Sequence, residues 1–141
     1  MKFYAAAAPA LLLAGALLWC AGIVLAPLLN LRPVYEFFAL ICHQDPNRSF
    51  TIAGTPLPVC IRCTSIYFGF FLSLLFSIPS TPRAVKVAIV ATLAEFVIAL
   101  TVWDSPWLRA TTGLALGATV APFVTTGVQQ MLRRGEFRDA V

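Results

Sequence analysis

Between Lys2 and Arg32 the chain carries no charged side chain. The apolar run from Phe3 to Leu31 is longer than the roughly 20 residues a helix needs to cross the hydrocarbon core of a bilayer. A second run follows Cys63 and continues to Ile78, a third extends from about Ala84 to Trp103, and a fourth from about Leu108 to Leu132. Composition agrees with a membrane class. Hydrophobic residues make up 60% of the chain and charged ones 11%, against about 45–50% and 25% in a soluble domain. The expected fold is an all-α integral membrane protein forming one domain over residues 1–141. Its four transmembrane helices are expected at about 4–30, 59–78, 84–103 and 108–132, with an outer loop at about 32–58 between the first two. There is no room for a separate soluble domain.

The first run exceeds the 7–15-residue core of a signal peptide. The bulky Trp19 before Cys20 also argues against a lipoprotein site, so Cys20 is read as a small buried hydrophobe. The net charge of +4 does not imply nucleic acid, because the basic residues sit at helix ends and in short loops, with no patch that could follow a phosphate backbone. They report topology instead. With four spans, Lys2, Arg83, Lys86, Arg133, Arg134 and Arg138 lie on one side, and Arg32, Arg48, Arg62 and Arg109 on the other. The positive-inside rule then puts the termini in the cytoplasm of a bacterial inner membrane. The loop at 32–58 and the short connection Asp104-Ser105-Pro106 fall on the outer face, periplasmic in a Gram-negative cell.

Chemistry concentrates in that loop. Three of the four cysteines and the only histidine are bunched as Cys42-His43 and Cys60-Ile61-Arg62-Cys63. Pro33, Pro46, Pro56, Pro58 and Gly54 break regular structure there. Val34, Phe37, Phe38 and Ile41 nevertheless recur at helical spacing and predict a short helix along the membrane surface. Prolines 56 and 58 then start the second span near Val59, which places Cys60 and Cys63 one turn apart on one face.

Two chemistries use these atoms. In the metal reading, Cys60 and Cys63 form a two-thiolate pincer, Cys42 ties the loop back onto it, and His43 completes a zinc-like tetrahedral set. Adjacent Cys42 and His43 can share one ion only through a tight bend, so the fourth ligand could instead be Asp45, Glu36 or water. In the redox reading, a thiol at a helix start beside Arg62 has a lowered pKa. Cys60 and Cys63 then pass electrons to quinone, with Cys42 as resolving partner. A third possibility is a structural disulfide plus a spare thiol. His43 by itself could be an ordinary hydrogen-bonding group, or a ligand for another protein's cofactor.

Charges inside the apolar runs need partners. An acid at the depth of Glu95 costs about 3 kcal/mol on insertion scales unless protonated or paired. Glu95 should therefore face the bundle interior, toward Arg109, Tyr67 or Thr112, either as a proton or cation site or as a protonated interhelical link. Gly113, Gly117 and Ala121 form a small-residue stripe that lets two helices approach closely. Arg48, Arg62 and Arg109 are candidates for an anion site at the outer face, such as a lipid phosphate, or for snorkelling side chains.

Cys42-His43-Gln44 with Pro46 and Arg48-Ser49-Phe50, then Pro58-Val59-Cys60-Ile61-Arg62-Cys63-Thr64 with Tyr67 and Gly69, resemble a bacterial family of small predicted membrane proteins of unknown function. Its signature is Cys-His-Gln followed by Pro-x-Cys-x-Arg-Cys, and a later Arg-x-x-Thr-Gly-x-x-x-Gly matches Arg109, Thr112, Gly113 and Gly117. The resemblance covers about Glu36 to Ala121. It departs at Ser65, where the family often has glycine, and at Glu95, where it has Asp-Gly. It implies that Cys42, His43, Cys60, Arg62, Cys63 and Arg109 belong to one site, and it implies no activity. The leading functional expectation is non-enzymatic: a zinc-tied loop on a small accessory subunit of a larger membrane complex, in contact with lipids and other subunits. The enzymatic alternatives are a dithiol-to-quinone oxidoreductase and a metal-dependent enzyme acting on a lipid head group.

Overall fold

A computed structural model describes the backbone of residues 2–101 and 103–138 and the side chains of residues 7–101 and 103–132. The side chains of Lys2, Arg133, Arg134 and Arg138, four of the residues behind the expected cytoplasmic side, lie outside the described residues. The chain runs α1 (Lys2–Leu28), α2 (Arg32–Ala39), a 3-10 turn (Pro46–Arg48), β1 (Thr51–Ile52), β2 (Thr55–Pro56), α3 (Ile61–Phe76), α4 (Pro82–Thr101) and α5 (Pro106–Arg138).

Three helical stretches are long and apolar enough to cross a membrane: Ala7–Leu28, Pro82–Thr101 and Pro106–Leu132. The fourth apolar helix, α3, has only 16 residues. At 1.5 Å per residue it rises about 24 Å, short of a core about 30 Å thick. Both ends of α3 are set by local chemistry. Cys60 is an extended N-cap at φ −66° and ψ 162°. At the other end Ser77 turns left-handed at φ 51°, and the Ile78 N–H donates to Ser73 O at 3.0 Å. Pro79 then prevents continuation.

Although short, α3 is tightly packed in the bundle, against α5, the helix that touches the other three long helices. Helix α3 packs most extensively on α5 and also on α1, whereas α4 leans chiefly on α5. The close α3–α5 crossing is made by small residues on both helices. Ser65, Gly69 and Ser73 recur every four residues on α3 and are buried, facing the α5 helix that carries Gly113, Gly117 and Ala121. A Cβ on Gly69 would overlap the Leu114 carbonyl, and one on Gly117 would overlap that of Ile66. At Gly113 it would sit 2.8 Å from Arg62 O and 3.1 Å from the Ser65 Cβ. The stripe expected on α5 is therefore a packing surface with a matching stripe on α3. Contact with Gly113 also explains why position 65 must stay small.

The α1–α3 connection has its own core. Phe38 of α2 is buried with Ile23, Leu57, Val59, Cys42 and Cys60, and Trp19, Val34, Ile52, Cys63 and Tyr67 pack around them. Trp19 meets the rings of Phe37, Phe38 and Tyr67 edge-on, with centroids 5.1–5.6 Å apart, a favoured aromatic geometry. The helix predicted from Val34, Phe37, Phe38 and Ile41 exists, but it docks on α1 through Phe38. The β1–β2 hairpin was not expected from the sequence. Ala53 and Gly54, both at positive φ (51° and 80°), form its two-residue turn, with Ile52 opposite Thr55. Paired positive φ values match the twist of a tight hairpin.

Gly117→Leu should force α3 and α5 apart and cost about 1–3 kcal/mol from overpacking, seen as a lower thermal midpoint in detergent by circular dichroism. Gly127→Leu, on the same helix with open space around it, should be neutral.

Candidate metal centre and a buried charge chain

The tight packing around Val59 and Phe38 brings three distant thiols together. The Sγ atoms of Cys42, Cys60 and Cys63 all lie within 4.8 Å of one another, and all four cysteines of the chain are free. Cys42 arrives at the end of α2, where its N–H still bonds to Phe38 O at 2.9 Å. Cys60 caps α3 and Cys63 lies in its first turn, so the pincer spacing works as expected. The Cys60 N–H donates to Cys42 Sγ at 3.2 Å. Cys42 and Cys60 are buried and Cys63 half-buried. A three-thiol cluster of this size suits a thiophilic ion.

His43 does not join this cluster. It is exposed, and the three-thiol group does not include it. The reason is its neighbour. Gln44 adopts a left-handed φ of 51°, and its side-chain amide donates to Tyr35 O at 2.6 Å and to Pro58 O at 2.8 Å. This clamp joins α2 to the segment before the pincer, while His43, between two anchored residues, faces outward. The Tyr35 hydroxyl adds a third strut, donating to Pro56 O at 2.7 Å. Gln44 is the residue that reasoning from ligand chemistry missed, and its place in the Cys-His-Gln triplet was the available signal. The alternative fourth ligands do no better. Glu36 is exposed, and the Asp45 carboxylate caps the Asn47 N–H at 3.0 Å and lies 3.6 Å from Arg48.

Cys20 also stays apart. It is buried on α1 and lines, with Trp19, Tyr67, Ile66 and Phe70, an apolar cleft of about 420 Å³ between α1 and α3.

The arginines and acids form a separate structure. The side chain of Glu95 on α4 is only 2% exposed. Arg62 Nε donates to its Oε2 at 3.2 Å, and Arg109 Nε lies 3.7 Å from its Oε1. Arg109 also pairs with Asp104, whose other oxygen is 3.6 Å from Arg48, and Arg48 in turn is 3.6 Å from Asp45. Six charges thus alternate in sign along Arg62–Glu95–Arg109–Asp104–Arg48–Asp45. The Arg62 guanidinium also lies over the Phe96 ring, 5.3 Å from its centroid, a cation–π contact. Of the partners expected for Glu95, Arg109 is present. Tyr67 belongs to the aromatic group on α1, and the Thr112 hydroxyl bonds its own helix at Leu108 O, 2.9 Å away. Arg48, Arg62 and Arg109 each face an internal carboxylate, so they do not converge on an open anion site. The site implied by the resemblance is therefore two groups, thiols and charges, that meet at Arg62.

Residues 42–123 match the model of a family described as "Predicted membrane protein (DUF2085)". The chain belongs to this family. The matched segment starts at Cys42 and takes in Cys60, Cys63, Glu95 and Arg109. An uncharacterized protein of Methanothermobacter thermautotrophicus is 33% identical over 93 residues, covering 60% of this chain and 84% of the relative. An uncharacterized protein of Methanocaldococcus jannaschii is 45% identical over 42 residues, covering 30% of this chain and 27% of the relative. Both relatives are archaeal, whereas a bacterial family was expected. No solved structure matches.

Glu95→Gln should leave Arg62 and Arg109 short of a buried countercharge and cost about 3–5 kcal/mol. A double-mutant cycle with Arg62→Met, read by denaturation in detergent, should then show non-additivity, because the two side chains are in contact. The Arg109 guanidinium holds the Asp104 carboxyl below its ordinary value of 3.8. A depressed folded-state pKa contributes stability above the unfolded value, and this is lost as pH falls through the folded one. Stability should therefore drop as pH falls below about 4, and Asp104→Asn should flatten that drop in acid melting curves.

Proposed function

We propose that the chain is a small multi-pass membrane protein whose Cys42, Cys60 and Cys63 thiolates hold a zinc-like ion, and that it serves as an accessory subunit of a larger membrane complex. The observation that carries the metal reading is the convergence of three Sγ atoms within 4.8 Å from two segments 18 residues apart. A bound ion would lock α2 to the start of α3 and add to the Gln44 clamp. In this reading α3, extended by its flanking apolar residues, is a fourth span. The termini lie in the cytoplasm and the thiol site on the outer face, with Arg83 and Lys86 supplying basic charge to the inner side. The apolar exterior of the helices meets lipids and neighbouring subunits. The accessory role draws on the many large apolar side chains exposed on the helices, such as Leu18, Val90 and Leu93, which offer surface to neighbouring subunits.

A second reading, a dithiol-to-quinone oxidoreductase, draws on the cleft of about 420 Å³ beside Tyr67, one helical turn beyond Cys63. One experiment separates the two. Elemental analysis of purified protein, with a count of free thiols, should give one zinc per chain and no disulfide, and Cys42→Ser, Cys60→Ser or Cys63→Ser should each release the metal. An easily reduced Cys60–Cys63 disulfide without bound metal would replace the metal reading by the redox one.

A further inference from the structure

We infer that the metal held by Cys42, Cys60 and Cys63 keeps its fourth coordination position for a neutral nitrogen donor supplied from outside the chain. This rests on the metal reading above and changes its character, from a closed staple to an open site.

The argument starts from a count of ligands. Zinc and its relatives take four donors in tetrahedral geometry, and a site with three protein ligands leaves the fourth to water or an incoming group. Among the described residues, three ligand atoms converge and no carboxylate or imidazole joins them. The nearest candidate in sequence, His43, is exposed and is not among the three converging ligands, and its two neighbours are anchored. Cys42 is buried in the cluster, and Gln44 is fixed by hydrogen bonds of 2.6 and 2.8 Å to two different segments. Asp45 is committed to Asn47 and Arg48.

Charge then selects the class of donor. Three thiolates on a divalent ion leave a net charge of about −1. The surrounding wall is apolar, with Ile23 and Val59 fully buried and Leu57 and Phe38 nearly so. The one cation built into the pincer, Arg62, already faces Glu95 at 3.2 Å. An anionic fourth ligand would add a second uncompensated negative charge in a low-dielectric setting, which is costly. A neutral donor adds none. Imidazole is the neutral donor common in proteins, and water occupies the position when none is present. Access lies at Cys63, the half-buried member of the three.

The test uses the full-length chain in detergent, loaded with Co²⁺, whose visible spectrum reports the number and type of its ligands. Imidazole titrated into the sample should shift the d–d bands, in wild type and in His43→Ala alike, while azide at the same concentrations should leave them unchanged. A wild-type spectrum that ignores imidazole and does not change on dilution, together with a His43→Ala spectrum that responds to imidazole, would overturn the inference by showing that His43 of the same chain closes the site. Azide shifting the bands as strongly as imidazole would overturn the choice of a neutral donor. Dilution that alters the wild-type spectrum but not that of His43→Ala would support the inference, and would identify the outside donor as His43 of a second copy. Absence of any thiolate-to-cobalt charge-transfer band would overturn the metal reading itself, a failure distinct from the others.

Discussion

A carboxylate that is 2% exposed inside an apolar bundle requires a positive partner, and the arrangement of the helices follows from meeting that requirement. Glu95 is the only described acid on α4. It takes Arg62 from α3 on one oxygen and Arg109 from α5 near the other. Three helices are thereby fixed in rotation about their axes, because turning any one of them would strand a charge in a low-dielectric interior. Breaking such a set is expensive even where forming it contributes little net stability. Its value lies in specifying one packing among the many that apolar helices allow. The chain of pairs then leaves the interior through Asp104 and Arg48, joining the α4–α5 connection to the segment that follows Cys42.

The Cys60-Ile61-Arg62-Cys63 tetrapeptide serves two sides of the bundle at once. At about 100° per residue, Cys60 and Cys63 share one face of the helix start while Arg62 points away from it. The thiols look toward α1 and α2, where Cys42 waits behind Phe38. The arginine looks toward α4 and α5, and its carbonyl is the atom that Gly113 must approach without a side chain. A glycine is needed on α5 and a small residue at position 65 because α3 has no slack. Displacing it toward α1 would crowd the thiols, and displacing it away would break the pair with Glu95.

Much of this could be read from the sequence wherever a single residue type has few options. Glu95 in an apolar run had to face inward, and the spacing of Gly113, Gly117 and Ala121 marked a close crossing. Two thiols one turn apart at a helix start had to point together. What stayed hidden depended on contacts between distant segments. The matching stripe Ser65, Gly69, Ser73 contains two serines that do not announce themselves as a packing surface. Gln44 looks like an ordinary polar loop residue, because its role depends on two carbonyls, at Tyr35 and Pro58, that only the folded chain brings within reach. His43 looked like a ligand by its chemistry, yet it stands exposed and apart from the three-thiol group. The hairpin at Ala53-Gly54 was masked by prolines that argue against strands yet tolerate a ladder of two residue pairs. The length of α3 was overestimated because hydropathy continues past the point where Ser77 turns the backbone.

The alternation of charges over three helices also bears on how the chain enters a bilayer. Arg62, Glu95 and Arg109 lie on segments synthesised one after another, and Glu95, well inside α4, alone would carry an insertion penalty of about 2.5–3.5 kcal/mol. The α4 segment can therefore not partition as an independent apolar rod at no cost. The segment bearing Arg62 has its countercharge only once the next helix is made, and Arg109 of the helix after that is balanced by Asp104 in the connection between them. Held together at the point of entry, the three segments and the Asp104 connection would release into lipid with these charges paired. The N-terminal helix, free of charge from Phe3 to Leu31, has no such constraint and can enter ahead of them.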